Sequence, residues 1–321
     1  MSCALLARAG ILACVGLLLG CQTGPPVELT SGEDRIDVRI DGHHVTSYRY
    51  GRSLTKPVLF PVCTLSGVAV NRGFPLESVA GESEDHPHHI GVFFGYGNVN
   101  GADFWNNTTS PPQIAHVATR EMAGGRGSGK LAVEHQWVGS EGRILLEEWR
   151  EMTFLGLEED AYAIDCRLVL RAESETVVLD DNKEGAFAIR VADWLKEDGG
   201  SGRYLSSNGD ETAANTWGKR ARWVRLQGEK DGRVFGIVIL DHPESVNHPS
   251  YWHARGYGLF AVNPLGQFVF QRNREEPGAR ALRLTLRAGE EALFHYRLIV
   301  YEGERTYPEL EQWFADFAEG R

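Results

Sequence analysis

The sequence predicts an all-β protein, a large antiparallel β-sandwich with a short C-terminal helix. Apolar and polar residues alternate with a period of two over most of the chain, and windows of helical periodicity are scarce. Successive alternating runs are also joined by short polar segments, which is the spacing of β-hairpins. Strands connected in this way pair antiparallel, and a second sheet is needed to bury their apolar faces.

The alternation predicts strands over 36–40, 45–50, 130–138, 143–154, 162–170, 186–192, 221–226, 234–240, 281–286 and 293–301. A helix is predicted over 308–318, because Pro308 suits a first turn and four apolar residues share one face, where we expect core packing: Leu310, Trp313, Phe314 and Phe317. Three long connections interrupt the alternation, at 71–114, 193–219 and 241–256. Long loops on a β-scaffold are where functional sites usually lie.

The N-terminus predicts a lipoprotein. Residues 1–20 hold a single charge, Arg8, followed by an apolar run too short for a comfortable membrane span, which is typical of a signal peptide. Leu-Leu-Gly before Cys21 matches the bacterial lipobox, so Cys21 is the expected lipidation site, although a plain secretory signal fits the hydropathy too. Gln22, the second residue of the mature chain, favours sorting of the lipoprotein to the outer rather than the inner membrane. We therefore expect a tether over 21–34, one β-sandwich domain over 35–321, and an envelope location reached through the lipid alone.

The net charge, the absence of certain motifs and the cysteine content narrow the range of possible binding partners and chemistries. The formal net charge of -11 disfavours nucleic acid as a partner. The sequence contains no GxSxG, no glycine-rich phosphate loop and no CxxC, which disfavours serine nucleophiles and nucleotide binding. Cys63 and Cys166 remain in the mature chain. These two cysteines could form a disulfide. Alternatively, Cys166 is a buried free thiol, because it lies on the apolar face of a predicted strand.

The segment 82–105 combines histidines, acids, aromatics and glycines in a mixture that no ordinary core strand needs. His86 and His88 would project to one side of an extended segment, which makes a divalent metal a possible cofactor. A third ligand could come from one of four residues: His89, Asp103, His242 or His253. No HExxH is present, and clustered histidines also serve in acid/base chemistry and hydrogen bonding. No other cofactor is implied.

His86 and His242 share a second pattern. The tripeptide Asx-His-Pro occurs at 85–87, 241–243 and 247–249. Each copy places an imidazole between a turn-forming Asx and a proline of fixed φ. Good turn chemistry alone explains the pattern, but the neighbouring histidines favour a polar pocket.

A charged run at 180–185 precedes the predicted strand that carries Arg190. Glu184 beside Lys183 at a strand entrance could be a general base with a substrate clamp, or a solvated turn. Further along, Tyr251 and Trp252 beside His253 would make a flat apolar wall edged by donors, which suits a sugar ring. Core packing is the competing account of those aromatics.

Four blocks resemble a bacterial family of unknown function that carries the legacy label "methane oxygenase PmoA": HPHHIGVFFGYGNVNGADFW, KEGAFAIRVADW, HPSYWHARGYGLFAVNPLG and LRAGEEALFHYRLIVYEGE. The methane monooxygenase subunit behind the label is a multi-helix membrane protein, and this chain has no apolar span beyond its N-terminal run, so we reject methane oxidation. The closing strands also look like the end of a galactose-mutarotase-type supersandwich.

That second likeness implies a sugar pocket on a sheet face, with His and Glu as an acid/base pair. By motif, the resemblance points to nine positions: His86, His88, His89, Lys183, Glu184, Arg190, His242, His253 and Asn263. The leading hypothesis is an envelope-anchored carbohydrate-active enzyme, an epimerase, lyase or hydrolase acting on a saccharide.

In this hypothesis Glu184 is the base and His88 or His89 the acid. Lys183 is the fourth catalytic residue, and with Arg190 it would hold a carboxylate or hydroxyls of the substrate. We expect the other residues of the site to bind and orient the substrate: Arg190, Asp103, His242, Asn263, Tyr251, Trp252 and His253. The alternatives are a non-catalytic glycan-binding lipoprotein that uses the aromatic wall, and a metal-dependent hydrolase or oxygenase.

Overall fold

The computed structural model describes residues 24–321, so the predicted signal peptide and Cys21 lie outside the described residues. The strands are β1 (Pro26–Gly32), β2 (Arg35–Ile40), β3 (His43–Arg49), β4 (Val58–Val62), β5 (Val92–Tyr96), β6 (Gln113–Ala123), β7 (Gly125–Arg126), β8 (Ser128–Val138), β9 (Ile144–Glu158), β10 (Ala161–Ala172), β11 (Val177–Leu179), β12 (Gly185–Arg190), β13 (Arg203–Ser206), β14 (Trp223–Lys230), β15 (Arg233–Asp241), β16 (Tyr251–Ala254), β17 (Leu259–Asn263), β18 (Leu284–Leu286) and β19 (Glu291–Glu302). The helices are α1 (Ala213–Thr216), α2 (Gln267–Asn273) and α3 (Tyr307–Ala318).

Two large antiparallel sheets form the molecule. The nine-stranded sheet has the order β16-β17-β12-β5-β4-β3-β2-β1-β7, and the eight-stranded sheet has the order β13-β14-β15-β19-β10-β9-β8-β6. β11 and β18 form a separate pair. The main apolar core joins residues of both sheets. This arrangement confirms the predicted sandwich, and β9 and β10 form the predicted hairpin, with one register shift between Ala161 and Tyr162. The predicted tether over 21–34 is wrong for residues 26–32, because they form β1 and pair with β2.

Helix α3 lies on the outer face of the eight-stranded sheet. Its apolar stripe packs on sheet residues in a cluster that includes Leu310, Trp313, Phe314 and Phe317, which confirms the predicted core packing. Thr306 and Glu309 form a capping box at its start. No helix within residues 24–321 is long and apolar enough to span a membrane.

The outer face of the nine-stranded sheet carries a third apolar cluster, which includes Phe93, Trp105, Ala188, Leu259 and Ala261. Strands β5, β12 and β17 are therefore buried on both faces. The long connection over 71–114 supplies part of the cover and contains β5, so it is not wholly the loop that the sequence predicted. Likewise, β16 lies within 241–256, and β13 with α1 lies within 193–219.

Cys63 and Cys166 are free thiols, so the predicted alternative of a disulfide between them is not realised. Cys166 lies in the main core on the face of β10 that also carries Ile164 and Leu168. Burial raises the pKa of the Cys166 thiol to about 12. This confirms the interpretation of Cys166 as a buried free thiol.

Candidate functional site

A row of four residues crosses the outer face of the nine-stranded sheet. His253 on β16 faces Ala261 on β17, Ala261 faces Ala188 on β12, and Ala188 faces Phe93 on β5. Residues directly opposite in antiparallel strands point to the same face. The two alanines, which are fully buried in the third apolar cluster, therefore lie between a histidine on one side and an aromatic ring on the other.

The predicted histidine cluster assembles over the Phe93 end of this row. The ring centroids of His86 and His88 lie 5.7 Å apart, those of His86 and His89 5.1 Å, and those of His88 and His89 4.2 Å. His89 also stacks on Phe93 at 6.0 Å. Burial, followed by the nearby charge of Lys56, lowers the pKa of His88 to about 4. Burial likewise holds the pKa of His89 far below its usual range, so both rings are neutral at neutral pH.

Asp85 ties this cluster to two buried arginines. Its Oδ1 accepts hydrogen bonds from Arg72 Nη1 at 2.5 Å and from Arg190 Nη2 at 2.6 Å, and its Oδ2 lies 2.9 Å from His86 Nδ1. Burial alone would raise the pKa of Asp85, but the hydrogen bond with His86 and the charge of Arg190 bring it below its ordinary value. The Arg190 guanidinium stacks over Tyr257 at 4.7 Å. Charge-assisted bonds to a shared carboxylate thus hold Arg190 in place.

Lys56 is a functional candidate that the sequence did not reveal. Its side chain is almost fully buried, and its Nζ donates to the carbonyl of Trp105 and to Asn107 Oδ1, each at 2.8 Å. Burial lowers the pKa of Lys56 to about 7, opposed by the charge of Asp103. An amine of that pKa exchanges protons readily near neutrality.

Glu184 and Lys183 form a second group at the start of β12. The Lys183 ammonium pairs directly with Glu184 Oε1. Asn263 shapes this turn, because its Nδ2 donates to the carbonyls of Asn182 at 2.9 Å and Lys183 at 3.0 Å. Burial lowers the pKa of Lys183 below its ordinary value, helped by the charge of Arg255. Asn263 is itself buried, so it positions the turn rather than contacting a ligand.

His253 completes the second group. Arg255 Nε donates to His253 Nε2 at 3.0 Å, so the ring proton must lie on Nδ1, and this nitrogen is 3.9 Å from Glu184 Oε2. Burial and then the charge of Arg255 lower the pKa of His253 to about 3. Trp217 closes the site, with its ring under the Arg255 guanidinium at 5.0 Å. His253 is therefore a neutral donor directed by its neighbour.

The two groups lie at opposite ends of β12, since Glu184 precedes the strand and Arg190 ends it. Six residues of extended chain separate them by about 20 Å. Within residues 24–321, several buried polar atoms on this face have no hydrogen-bond partner: both ring nitrogens of His89, Trp105 Nε1, Nε and Nη1 of Arg190, Trp217 Nε1 and His253 Nδ1. Buried polar atoms are rarely left unpaired, so this concentration marks the face as a place for a polar ligand.

The structure corrects two predicted substrate contacts, at Trp252 and Tyr251. Trp252 lies in the core between the sheets, fully buried, with its indole N–H donated to the Ala221 carbonyl at 3.0 Å. It cannot stack on a sugar ring, because β16 turns it to the inner face. Tyr251 points outward but is covered by Arg220 at 4.5 Å and by Phe270 at 5.5 Å. The accessible aromatic position beside His253 is that of Trp217.

Two other predicted residues also take different places. Asp103 accepts hydrogen bonds from the backbone N–H groups of Trp105 and Asn106, at 2.9 and 2.8 Å, and so shapes the loop beside Lys56. His242 follows β15 of the eight-stranded sheet and stacks on His295 at 4.4 Å under α3. It is therefore not part of the site on the nine-stranded sheet.

Possible metal ligands gather elsewhere than predicted. Among residues 24–321, the one set of three ligand atoms within 4.8 Å of one another belongs to His242, Glu244 and His295. His86 and His88 belong to no such set. The Nδ1 of His242 already accepts a hydrogen bond from the Glu244 N–H at 3.1 Å, so this set would have to rearrange to bind an ion.

The sequence thus predicted some residues of this candidate site but not all of them. Asp85, Trp105, Arg255 and Tyr257 lay inside the segments that it singled out. Arg72 and Trp217 lay inside the long connections over 71–114 and 193–219, but nothing distinguished them there. Lys56 lay outside all of these segments, and only the fold brings it to this face.

The chain belongs to a family described as "Family of unknown function (DUF6807)", whose model matches residues 35–315. The predicted membership of a family of unknown function is thereby confirmed at this level, and the PmoA label forms no part of the match. No curated protein sequence matches the chain.

Solved structures offer distant likenesses. A candidate aldose 1-epimerase from Klebsiella pneumoniae is 10% identical, with 91% of this chain and 87% of that chain covered and a TM-score of 0.44. An aldose epimerase homologue from C. elegans is 8% identical, with 88% and 100% covered and a TM-score of 0.35. A 4-alpha-glucanotransferase from Thermococcus litoralis is 10% identical, with 87% and 40% covered and a TM-score of 0.31. At these identities and TM-scores, the likenesses carry no conclusion about the chemistry of this chain.

Proposed function

We propose that this protein is a carbohydrate-active enzyme that moves protons on a saccharide bound to the outer face of the nine-stranded sheet. The observation that carries the proposal is the group of Glu184, Lys183 and His253 beside Trp217. A carboxylate and an amine of lowered pKa lie in the turn before β12, and a neutral imidazole donor lies on β16, which β17 separates from β12. This is a set that can take a proton at one position of a sugar and return one at another.

The geometry suggests a role for each residue. Glu184 Oε2 faces His253 Nδ1 across 3.9 Å, which exceeds a hydrogen bond and leaves a sugar hydroxyl able to accept from His253 while meeting the carboxylate. Glu184 acts as the base, and Lys183 donates the compensating proton. Trp217 offers the C–H faces of the ring an aromatic surface.

This assignment revises the acid role expected of His88 and His89. Both rings are held neutral by burial, so neither carries the extra proton that an imidazolium acid would donate. Together with Arg190, they contribute hydrogen-bonding positions at the far end of β12. A ligand that meets both groups spans about 20 Å and is therefore an oligosaccharide.

The test is a screen of oligosaccharides for epimerisation, elimination or hydrolysis with the wild type and with Glu184→Gln. We expect the variant to bind the same glycan and to lose at least about a hundredfold in kcat. Glu244→Gln, an exposed carboxylate on the other sheet, is the matched control. Unchanged turnover in Glu184→Gln would remove Glu184 as the base.

A second candidate function is non-catalytic glycan binding on the same surface. The direct pairing of Lys183 with Glu184 favours it, because a neutralised carboxylate is a weaker base. Glycan binding without product from any member of the screen, unaffected by His88→Ala and His89→Ala, would support this function over the enzymatic one.

For location, we propose that a lipid on Cys21 anchors the protein to the outer membrane. The support is the lipobox and the Gln22 that follows it. Fractionation of cells that express wild type and Cys21→Ala tests this. We expect the wild type in the outer-membrane fraction and the variant released from it. Equal distribution of the two would count against lipidation at Cys21.

A further inference from the structure

A chain of hydrogen-bonded polar residues connects the two sheets of the sandwich and does not include Glu184. Glu148 Oε1 lies 3.0 Å from His135 Nδ1, and His135 Nε2 lies 2.7 Å from the Tyr48 hydroxyl. The same hydroxyl lies 3.0 Å from His116 Nδ1. Tyr48 belongs to the nine-stranded sheet and the other three residues to the eight-stranded sheet. The chain therefore links the two sheets through the interior.

The inner end of this chain is an ionised carboxylate. Besides His135, Glu148 accepts hydrogen bonds from Trp137 Nε1 at 2.8 Å and from Arg150 Nε at 2.7 Å. Burial alone would raise the pKa of Glu148, but the charge of Arg150 and the bond with His135 lower it to about 2. Glu148 therefore accepts from every partner and donates to none.

Because Glu148 is ionised, it fixes where the protons of the other three residues of the chain lie. Since Glu148 only accepts, the proton of neutral His135 lies on Nδ1, and its Nε2 is a lone pair. The Tyr48 O–H must donate to that lone pair, so the Tyr48 oxygen accepts from His116 Nδ1–H. The second nitrogen of His116, Nε2, is consequently left unprotonated. Within the described residues it has no hydrogen-bond partner, and it is not among the buried unpartnered atoms.

His116 lines a surface cavity of about 230 Å³. Its ring lies 4.2 Å from that of Tyr50, which lines the same cavity. The cavity wall also includes Arg52, Gln113 and the buried Lys56. The site thus combines one directed acceptor, several donors and one aromatic ring.

We propose that this cavity is a second binding site, for a sugar ring. In it, a hydroxyl donates to His116 Nε2, Arg52 donates to another hydroxyl, and Tyr50 packs on a C–H face. The Glu148, His135 and Tyr48 chain is a positioning device that keeps His116 an acceptor. The site is independent of Glu184.

The experiment uses the purified protein with ¹⁵N-labelled histidine, and His116→Gln assigns the His116 signals. We expect His116 to be in the Nδ1–H tautomer at neutral pH, and we expect its Nε2 resonance to move saturably with D-glucose, D-galactose or D-xylose. Tyr48→Phe should mix the tautomers and weaken sugar binding about three- to tenfold. Tyr162→Phe is the matched control, because it removes another buried hydroxyl, which donates a hydrogen bond to the Cys63 carbonyl.

Three results would overturn the proposal. These are an Nε2–H tautomer in the wild type, a tautomer unchanged in Tyr48→Phe, and an Nε2 resonance that no sugar of the panel moves. Glu184→Gln separates this site from the proposed active site, since the His116 shift should survive that variant even where turnover is lost. A sugar-induced shift that disappears in Glu184→Gln would assign the binding to the other site.

Discussion

Arg255 donates a hydrogen bond from Nε to His253 Nε2 at 3.0 Å, two residues away on the same hairpin. Because arginine is always protonated, this bond forces the His253 proton onto Nδ1, the nitrogen that faces Glu184 at 3.9 Å. A residue that need not touch the substrate thus decides which atom His253 presents to it.

The first prediction concerns this pair. Arg255→Gln removes a fixed donor and a positive charge, so the pKa of His253 should rise from about 3 toward its ordinary value. Histidine NMR titration measures the change. We also expect turnover to acquire a new pH dependence near the new pKa. Arg305→Gln, which removes a partly buried arginine distant from His253, should leave the titration unchanged. An unaltered His253 pKa in Arg255→Gln would contradict the assignment.

The second prediction concerns stability and pH. His89 and His253 have folded-state pKa values far below the ordinary 6.5, so as pH falls through 6.5 the unfolded chain binds protons that the folded chain does not. The free energy of unfolding should therefore fall from pH 7 toward pH 4, by up to about 1.4 kcal/mol per pH unit for each ring. Urea unfolding at several pH values measures the slope, and His253→Gln should reduce it. A flat profile would contradict the burial of neutral rings.

The third prediction separates two tryptophans. Trp252→Ala should lower the free energy of unfolding by about 3–5 kcal/mol, because the ring is fully buried in the core. Trp217→Ala should instead weaken glycan binding while costing less stability, because its ring borders the site. Thermal unfolding and glycan titration of both variants give the comparison. Strong glycan dependence on Trp252 in a fully folded variant would reverse the assignment.

The fourth prediction concerns metal. We expect His86→Ala/His88→Ala protein to keep the divalent-metal content of the wild type, because neither residue shares a set of three convergent ligand atoms within residues 24–321. Mass spectrometry of the metal in purified protein tests this. His242→Ala/His295→Ala serves as the comparison, since those residues do share such a set. Stoichiometric metal lost only from the His86/His88 variant would restore the predicted metal site.

Much of the fold was readable from alternation, because a strand with one buried face alternates in its residues. β8 and β9 show this clearly, and both were predicted. Two of the missed strands share a physical reason, and a third has a different one. β5 and β17 are buried on both faces, so they read as continuous apolar runs without a period. β6 has two register shifts that break its alternation.

For the candidate site, the sequence by itself singled out the segments in which turn-forming and ionisable residues concentrate. His86, His88 and His89 stood out by composition and spacing. For Glu184 and Lys183, composition left a solvated turn open, and the family resemblance favoured the functional interpretation. Only the tertiary structure decided which of the neighbouring residues share their face. Successive residues of a strand point to opposite faces, so Trp252 points into the core and His253 points outward. The pairing of β16 with β17 and of β17 with β12 places His253 in the same row across the sheet as Ala188. Lys56, Arg72 and Trp217 join this face from distant segments, because packing rather than local sequence determines where a buried cation or ring is placed.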